Sequence, residues 1–576
     1  MSRSLFVRAT VLAAATAIAA AVLTGCAASG NRVTGADDSA TPVAGGTLRF
    51  AVLDAPANLD PHSGSSYPES LITSNITDKL TYQNPQTGAI EPWLAKSWEF
   101  NDQLTEFTFH LRDDVTFSDG TKFTADSVKE NFDLLGRGNK ELGIIPVTAY
   151  WVGYRDTVVV DPLTVRVSFD RSNAGFLQAL SLYFSGIVGH STLRLPKDQR
   201  GLAQNLVTTG PFTVAEHVYQ QKTVLKKRSG YNWAPASREH AGEAYLDTVE
   251  IDVIPEAGVR TGALRSGQVD AILDVNNTDE APLKNEGYRI VPQLIPGRDI
   301  SLDLKTDLFP TNDRAVREAV KLGWNRDALA KTVLTDSYRV SSSVISSRVP
   351  GYVDFSADLK QDQKKAEQIL ESAGWKKGSD GIRVDKDGRR LELALLGINN
   401  LVNNKPAYEL IQQDLRKIGI DLRLNVLPIP DYTAAATQQQ RWNIQVANQS
   451  RADVAVLEQV YSPQYGNMSK LAQTDPLYQQ AITTLSAVSR TLDSGQRAAA
   501  AEAAQRFLLV DQVLTVPVYN PAQVTAASPK VHNIAYEAQS RNVFYDTWIE
   551  ARWPAWSGTR SPNWGRRSSW CGAPTP

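Results

Sequence analysis

Few side chains in this 576-residue chain stand at spacings that would support catalysis or metal binding. No two of its six histidines are four residues apart, the spacing that places two zinc ligands on one face of a helix. The chain contains no Gly-x-Ser-x-Gly elbow for a nucleophilic serine and no phosphate-binding P-loop. Its two cysteines, Cys26 and Cys571, exclude a disulfide scaffold and leave little room for a zinc or iron–sulfur site. We therefore expect no catalytic residue, no resident metal and no cofactor.

The distribution of charge along the chain indicates which kinds of partner the protein is suited to bind. The net charge is -2, from 60 basic and 62 acidic side chains. Residues 1–25 contain two arginines, residues 551–576 contain four, and neither segment contains an acid. The chain between them therefore holds 54 basic and 62 acidic side chains, a net charge of -8. A nucleic-acid-binding protein normally has a basic surface, so we expect no nucleic-acid partner.

The first 25 residues are typical of a secretory signal peptide. Arg3 and Arg8 precede an uncharged run at residues 9–22, which is too short to span a bilayer as a helix. Residues 23–26 (Leu-Thr-Gly-Cys) resemble the lipobox of bacterial lipoproteins, which implies lipidation of Cys26 and cleavage before it. The alternative is ordinary secretion with a free Cys26. Residues 26–45 are small and polar, so we expect a flexible tether that holds the protein on the extracytoplasmic face of the cell membrane.

Strands alternate with helices through the body of the chain. Apolar residues alternate at 47–53 and again at 107–111, which predicts two strands. Val128, Phe132 and Leu135 lie at helical spacing after Thr124, a favourable N-cap residue.

The second half contains the clearest unit. Leucines alternate at 391–395, the apolar face of a helix follows at 408–418, Gly419 ends it, and apolar residues alternate again at 420–426. A strand, helix and strand in this order predict a right-handed βαβ unit with parallel strands, and hence α/β lobes.

Several blocks of sequence carry a further signal. They are residues 58–61 (NLDP), 93–98 (WLAKSW), 107–120 (FTFHLRDDVTFSDG), 123–128 (FTADSV), 209–212 (TGPF), 263–270 (ALRSGQVD), 313–319 (DRAVREA), 365–375 (KAEQILESAGW) and 417–420 (KIGI). Together they resemble the signature of family 5 of the extracellular solute-binding proteins. These proteins are the receptors of ABC importers for peptides, nickel and opines.

The resemblance implies an α/β, two-lobed periplasmic-binding-protein-like fold of the cluster C type, with an extra domain in one lobe. It implies that residues 46–88, 205–305 and 515–550 form the core of lobe I, residues 89–204 the extra domain and residues 306–514 lobe II. Residues 551–576, which contain four of the 12 Trp, are expected to be a disordered tail. The resemblance also implies a monomer that encloses its ligand between the lobes and docks on a membrane permease.

The resemblance suggests which residues hold the ligand. Asp453 matches the aspartate that pairs with the peptide amino terminus in peptide-binding relatives, although Val454-Ala455-Val456 departs from their usual pattern. The alternative is that Asp453 caps a helix or turn. Arg451 is a candidate for a ligand carboxylate, or else a surface arginine. The remaining ligand-binding candidates are Ser65, Tyr67, Trp442 and Arg541, of which Tyr67 is suited to stacking.

An oligopeptide is the leading ligand class. A metal chelate, a metallophore or a nickel complex is the alternative, and the histidine spacing implies that any metal would arrive within a chelate. Two functions of other classes also remain: a ligand sensor that does not transport, and a hydrolase with a dispersed site.

Overall fold

Strands rich in β-branched and aromatic residues form two large sheets, and each sheet is the centre of one lobe. The computed structural model describes residues 41–62, 66–147, 150–399 and 401–550. The predicted signal peptide, the lipidation site Cys26, Ser65 and the predicted tail at 551–576 lie outside these residues. Most of the predicted tether also lies outside them.

The first sheet has seven strands among the described residues. In sheet order they are Arg289–Leu294, Ala522–Ala527, Ala271–Ile272, Thr47–Val52, Thr248–Val253, Lys222–Lys227 and Phe212–Val218. Thr47–Val52 is parallel to both of its neighbours, whereas the other pairs are antiparallel. Leu48 and Phe50 are fully buried, which confirms the alternation predicted for this strand.

A smaller sheet of four strands packs in the same lobe. Its strands, in sheet order, are Ala95–Phe100, Glu106–Leu111, Thr164–Phe169 and Tyr154–Asp161. The helix Ala125–Arg137 buries Val128, Phe132 and Leu135, and Thr124 is its N-cap, as predicted. The rings of Phe107 and Phe176 meet at 5.1 Å inside a core that also contains Leu48 of the first sheet. The seven-stranded and four-stranded sheets therefore form one lobe, the first lobe.

The second sheet is the centre of the second lobe and has six strands among the described residues. In sheet order they are Arg339–Val340, Thr515–Asn520, Gly297–Leu304, Ile444–Ser450, Glu392–Ile398 and Asp421–Leu427. Glu392–Ile398 and Asp421–Leu427 are parallel neighbours joined by the helix Asn404–Lys417, which confirms the predicted βαβ unit. Gly419 follows this helix with φ of 87°, the left-handed conformation that favours glycine.

The boundary between the lobes differs from the prediction. Gly297–Leu304 and Thr515–Asn520 were expected in lobe I, but they pair with each other and belong to the second sheet. Backbone pairing decides which sheet a strand joins, and these apolar runs would fit either sheet. The chain therefore crosses between the lobes at residues 295–296 and again at 521. The Ile295 N–H donates to the Pro521 carbonyl at 2.8 Å, so the two crossings lie side by side.

The other elements are short strand pairs and helices. The pairs are Thr81–Gln83 with Ile90–Pro92, Lys376–Lys377 with Arg383–Val384, Val531–His532 with Trp548–Ile549, and Ala535–Tyr536 with Asn542–Val543. The remaining α-helices are Tyr67–Ile76, Phe176–Ala179, His190–Leu193, Lys197–Arg200, Ala257–Arg265, Asn277–Asn285, Arg314–Leu322, Arg326–Thr332, Gln363–Ser372, Ile429–Ala436, Val456–Tyr461, Leu477–Ser486 and Ser494–Arg506. Short 3-10 turns occupy Tyr183–Ser185, Ala203–Asn205, Gln439–Arg441 and Ala487–Ser489, and a π-helical turn occupies Phe507–Asp511. Across the described part of the chain, we find no helix with the length and apolar character needed to cross a bilayer.

Candidate functional site

Segment 450–453 of the second lobe faces the first lobe. It follows the carboxyl end of Ile444–Ser450, the strand parallel to Glu392–Ile398, and such ends are where open α/β sheets bind ligands. Gln83 of the first lobe donates from Nε2 to the Ala452 carbonyl at 2.8 Å. We call the space around this contact the cleft site and define it by segment 450–453 together with the first-lobe residues Tyr67, Tyr150, Tyr183, Asp274 and Arg541.

Arg541 is a buried guanidinium with neutral partners. It donates to the hydroxyl oxygens of Ser70 at 3.0 Å and Ser450 at 3.1 Å, so it touches both lobes. Its Cζ lies 5.9 Å from the ring centre of Tyr67 and 5.3 Å from that of Tyr183, within reach of cation–π attraction. Among the described residues, no carboxylate forms an ion pair with Arg541. A buried guanidinium without a counter-charge is suited to a ligand carboxylate.

Tyr67, a ligand-binding candidate from the sequence, stands beside Arg541. Its hydroxyl donates to Asn542 Oδ1 at 2.9 Å, which fixes the ring at the start of the helix Tyr67–Ile76. Burial raises the pKa of Tyr67 well above its usual value, so the phenol stays neutral. The Tyr67 ring therefore offers an apolar face for packing, and its neutral hydroxyl is its one polar group.

Arg451 is buried rather than at the surface, with 3% of its area exposed. It donates from Nη1 to Gln459 Oε1 at 3.1 Å, and its Cζ lies 4.9 Å from the ring centre of Tyr150. Its Nε has no hydrogen-bond partner among the described residues, and burial lowers the pKa of the guanidinium. Gly175 lies so close that an added Cβ would be 2.6 Å from Nη2. The guanidinium thus has little room to move, and its buried Nε–H is a spare donor.

Asp453 is already engaged within the second lobe. Its Oδ1 accepts the Ala455 N–H at 2.8 Å and pairs with Arg497 Nη2 at 2.7 Å. Burial alone would raise the pKa of Asp453, but the charges of Arg497 and Arg451 outweigh it and lower the pKa. Asp453 therefore caps the turn before the helix Val456–Tyr461, and its contact with a ligand ammonium group stays a prediction.

Asp274 is a cleft residue that the sequence reasoning missed. It follows the strand Ala271–Ile272, has φ of 55° and lies near enough to Tyr67 and Tyr338 for its charge to help raise their pKa values. No donor to its carboxylate is found among the described residues. Burial raises its pKa to about 6, against the opposing charge of Arg260. An acid directly after the apolar run 271–273 was the signal available in the sequence.

Trp442 does not join the cleft site. It precedes the strand Ile444–Ser450, whereas Arg451 follows it, and seven strand residues span about 23 Å. Trp442 packs on Leu396 and Tyr432 and donates from Nε1 to a backbone carbonyl.

The described part of the chain contains no cluster of three or more His, Cys, Asp or Glu side chains that could hold a metal ion.

Comparisons with known proteins agree with this architecture. Residues 89–467 match the family described as bacterial extracellular solute-binding proteins, family 5. The nickel-binding periplasmic protein of Escherichia coli is 28% identical over 382 residues, which are 64% of this chain and 69% of that protein. The dipeptide-binding protein of the same organism is 24% identical and covers 66% of this chain and 71% of its own length. The structure of NikA from Brucella suis with Fe(III)-EDTA superposes with a TM-score of 0.75 at 24% identity, over 88% of this chain and all of that one.

Proposed function

Because the chain belongs to family 5 of the bacterial extracellular solute-binding proteins, we propose that it is the receptor of an ABC importer for a small, peptide-like solute. The receptor encloses the solute between its lobes and delivers it to a membrane permease. A lipid on Cys26 holds it on the extracytoplasmic face of the membrane, and it works as a monomer. The family consists of solute-binding transport proteins, and the receptor role requires no catalytic group.

The observation that carries the proposal is the pair of opposite charges around Tyr67. Arg541 and Asp274 both lie close enough to the Tyr67 hydroxyl to shift its pKa, and neither has an ion-pair partner among the described residues. A buried charge without a partner costs free energy, and a ligand of the opposite charge offsets that cost. A peptide carries a carboxylate for Arg541 and an ammonium group for Asp274. Micromolar affinity, about -8 kcal/mol, is within reach of such contacts combined with apolar burial.

Closure of the lobes completes the site. Ser450 comes from the second lobe and binds Arg541, and Gln83 comes from the first lobe and binds the Ala452 carbonyl. Both contacts exist only when the lobes meet. A solute that touches both lobes therefore favours the closed form over the open form, because its extra contacts are made only there.

The test is to identify what the protein carries. Native mass spectrometry of the chain from residue 27 onward, purified without added ligand, would show a bound species as a mass increment, and fragmentation would identify it. We expect a compound with both a carboxylate and an amine. Calorimetry with the identified compound would then give its affinity. A bound species with neither group, or no binding of any peptide from a mixed dipeptide and tripeptide pool, would contradict the proposal.

A metal chelate is the second candidate, because two buried arginines flanked by tyrosine rings suit a ligand rich in carboxylates. Arg541 lies beside Tyr67 and Tyr183, and Arg451 lies beside Tyr150. The similar proteins include one named for nickel binding and one solved with Fe(III)-EDTA. Calorimetry with Fe(III)-EDTA, run beside the peptide pool, decides between the two solute classes.

A further inference from the structure

A small cavity lies in the first lobe beside the cleft site, and Gln83, which contacts Ala452 of the second lobe, is part of its wall. It has a volume of about 40 Å³. Four aromatic side chains form much of its wall: Tyr82, Trp93, Tyr231 and Tyr545. The helix Tyr67–Ile76 contributes Ser74, and the segment after that helix contributes Asp78 and Lys79. Such a wall of aromatic rings with a few converging polar groups is typical of a binding pocket.

Lys79 is a buried ammonium group with donors to spare. It is 4% exposed, and its Nζ donates to the Thr77 carbonyl at 3.1 Å. The Nζ also lies 5.3 Å from the ring centre of Trp93. An ammonium group has three N–H donors, and the described carbonyl uses one of them. Ser74 Oγ is also buried and has no hydrogen-bond partner among the described residues.

The carboxylates on the cavity wall already accept hydrogen bonds from other groups. Asp78 accepts the Trp233 Nε1–H at 2.8 Å, and each carboxylate oxygen of Glu537 accepts a backbone N–H at 3.0 Å. Arg238 forms an ion pair with Asp546 at 3.1 Å. The polar groups of the wall with spare hydrogen-bonding capacity therefore include Lys79 Nζ, which is charged, and the Ser74 hydroxyl, and both can donate.

We propose that this cavity binds a carboxylate group, with Lys79 Nζ and Ser74 Oγ as its donors. The size agrees, since a water needs about 10–15 Å³ of such space and a carboxylate has three heavy atoms. Charge-assisted hydrogen bonds of this kind are stronger than neutral ones. The carboxylate comes from the solute, because Gln83 on the cavity wall also binds Ala452 of the second lobe. This choice of source rests on the proposed function.

The protonation of Lys79 supports this role at neutral pH. Burial lowers the pKa of Lys79 to about 8, the charges of Asp78 and Glu537 oppose that effect, and Arg238 adds to it. The ammonium form therefore dominates at pH 7 and is lost as the pH rises through about 8.

Acetate is a suitable probe, because it presents the carboxylate alone. The thermal midpoint of the full chain in mild detergent is measured against sodium acetate, with sodium chloride at equal ionic strength as reference. We expect Lys79→Met to raise the half-saturating acetate concentration at least about tenfold and Ser74→Ala to raise it several-fold. Lys305→Met is the matched control, since Lys305 is also buried, also has a pKa lowered to about 8, and lies in the second lobe.

Two results of the acetate titration would overturn the proposal. No acetate response in the wild-type chain overturns the proposal, and so does an equal response in wild type, Lys79→Met and Ser74→Ala. The Ser74→Ala variant keeps the test valid if circular dichroism shows that Lys79→Met does not fold.

A second arm identifies the source of the carboxylate. Native mass spectrometry compares wild type and Lys79→Met in a dipeptide pool in which Glu-containing and Gln-containing members are paired. Selective loss of the Glu members in the variant assigns the carboxylate to the solute. If Lys79→Met loses the Glu-containing and Gln-containing members equally, and the wild-type chain still responds to acetate, the carboxylate does not come from the solute. A free carboxylate is then the source. If no dipeptide binds either protein, the proposed solute class fails while the acetate titration still decides the cavity.

Discussion

Replacing Arg541 by Met separates solute binding from folding. The guanidinium lies between two tyrosine rings and donates to the hydroxyls of Ser70 and Ser450, all of them neutral. No carboxylate of the described residues forms an ion pair with this guanidinium, so a solute carboxylate would supply one, and losing such a buried pair costs about 3 kcal/mol, or about 150-fold in Kd. The free protein, by contrast, loses neutral hydrogen bonds of about 1 kcal/mol each and no longer buries an unpaired charge. We expect its stability to change by less than about 1 kcal/mol.

Calorimetry with the identified solute and urea unfolding of the free protein measure the two effects. Arg497→Met is the matched control, because Arg497 pairs with the buried Asp453 at 2.7 Å. That variant should lose about 3 kcal/mol of stability, since it removes the ion-pair partner of a buried carboxylate and leaves only the charge of Arg451 nearby. The reasoning is refuted if Arg541→Met binds the solute as tightly as wild type, or if it unfolds as easily as Arg497→Met.

Three further predictions follow from the described contacts and the sequence. Asp274→Asn should weaken binding of an amine-bearing solute by about 10-fold or more. Because burial raises the folded pKa of Asp274 to about 6, this group should lower wild-type stability as pH rises from about 4 to 6, and the decline seen in urea titrations should be smaller in the variant. Gly175→Ala should push Arg451 aside and cost about 1–2 kcal/mol by thermal unfolding, whereas Gly262→Ala, in open space within a helix, should stabilise slightly. Cys26→Ala should move the protein from the membrane fraction to the soluble fraction, and an unchanged membrane fraction would contradict lipidation.

Local patterns allowed much of the fold to be predicted. The βαβ unit was predictable because leucines alternate at 391–395, apolar residues repeat at helical spacing through 408–418, and Gly419 supplies the left-handed residue that ends the helix. The assignment of Gly297–Leu304 to the second sheet was not predictable. Its apolar residues specify a buried strand, but its pairing partners lie more than 100 residues away.

The site was predictable only in part, for the same reason. The resemblance pointed to Arg541 and Tyr67, which the structure brings together. It also pointed to Asp453, but the arginine that neutralises this acid is 44 residues further along the chain and has no local signature. Asp274 and Lys79 look like ordinary charged residues in the sequence. Their significance depends on which tertiary neighbours they lack, which no local pattern encodes.

The two crossings at 295–296 and 521 act mechanically as one joint. The hydrogen bond from Ile295 to Pro521 holds the two segments side by side, which favours a hinge rotation of one lobe against the other at this place. Pro296 and Pro521 each lack one backbone freedom, which concentrates the rotation in their neighbours. A hinge at this place would convert occupancy of the cleft into a change of the angle between the lobes. A permease that contacts both lobes can read that angle without touching the solute.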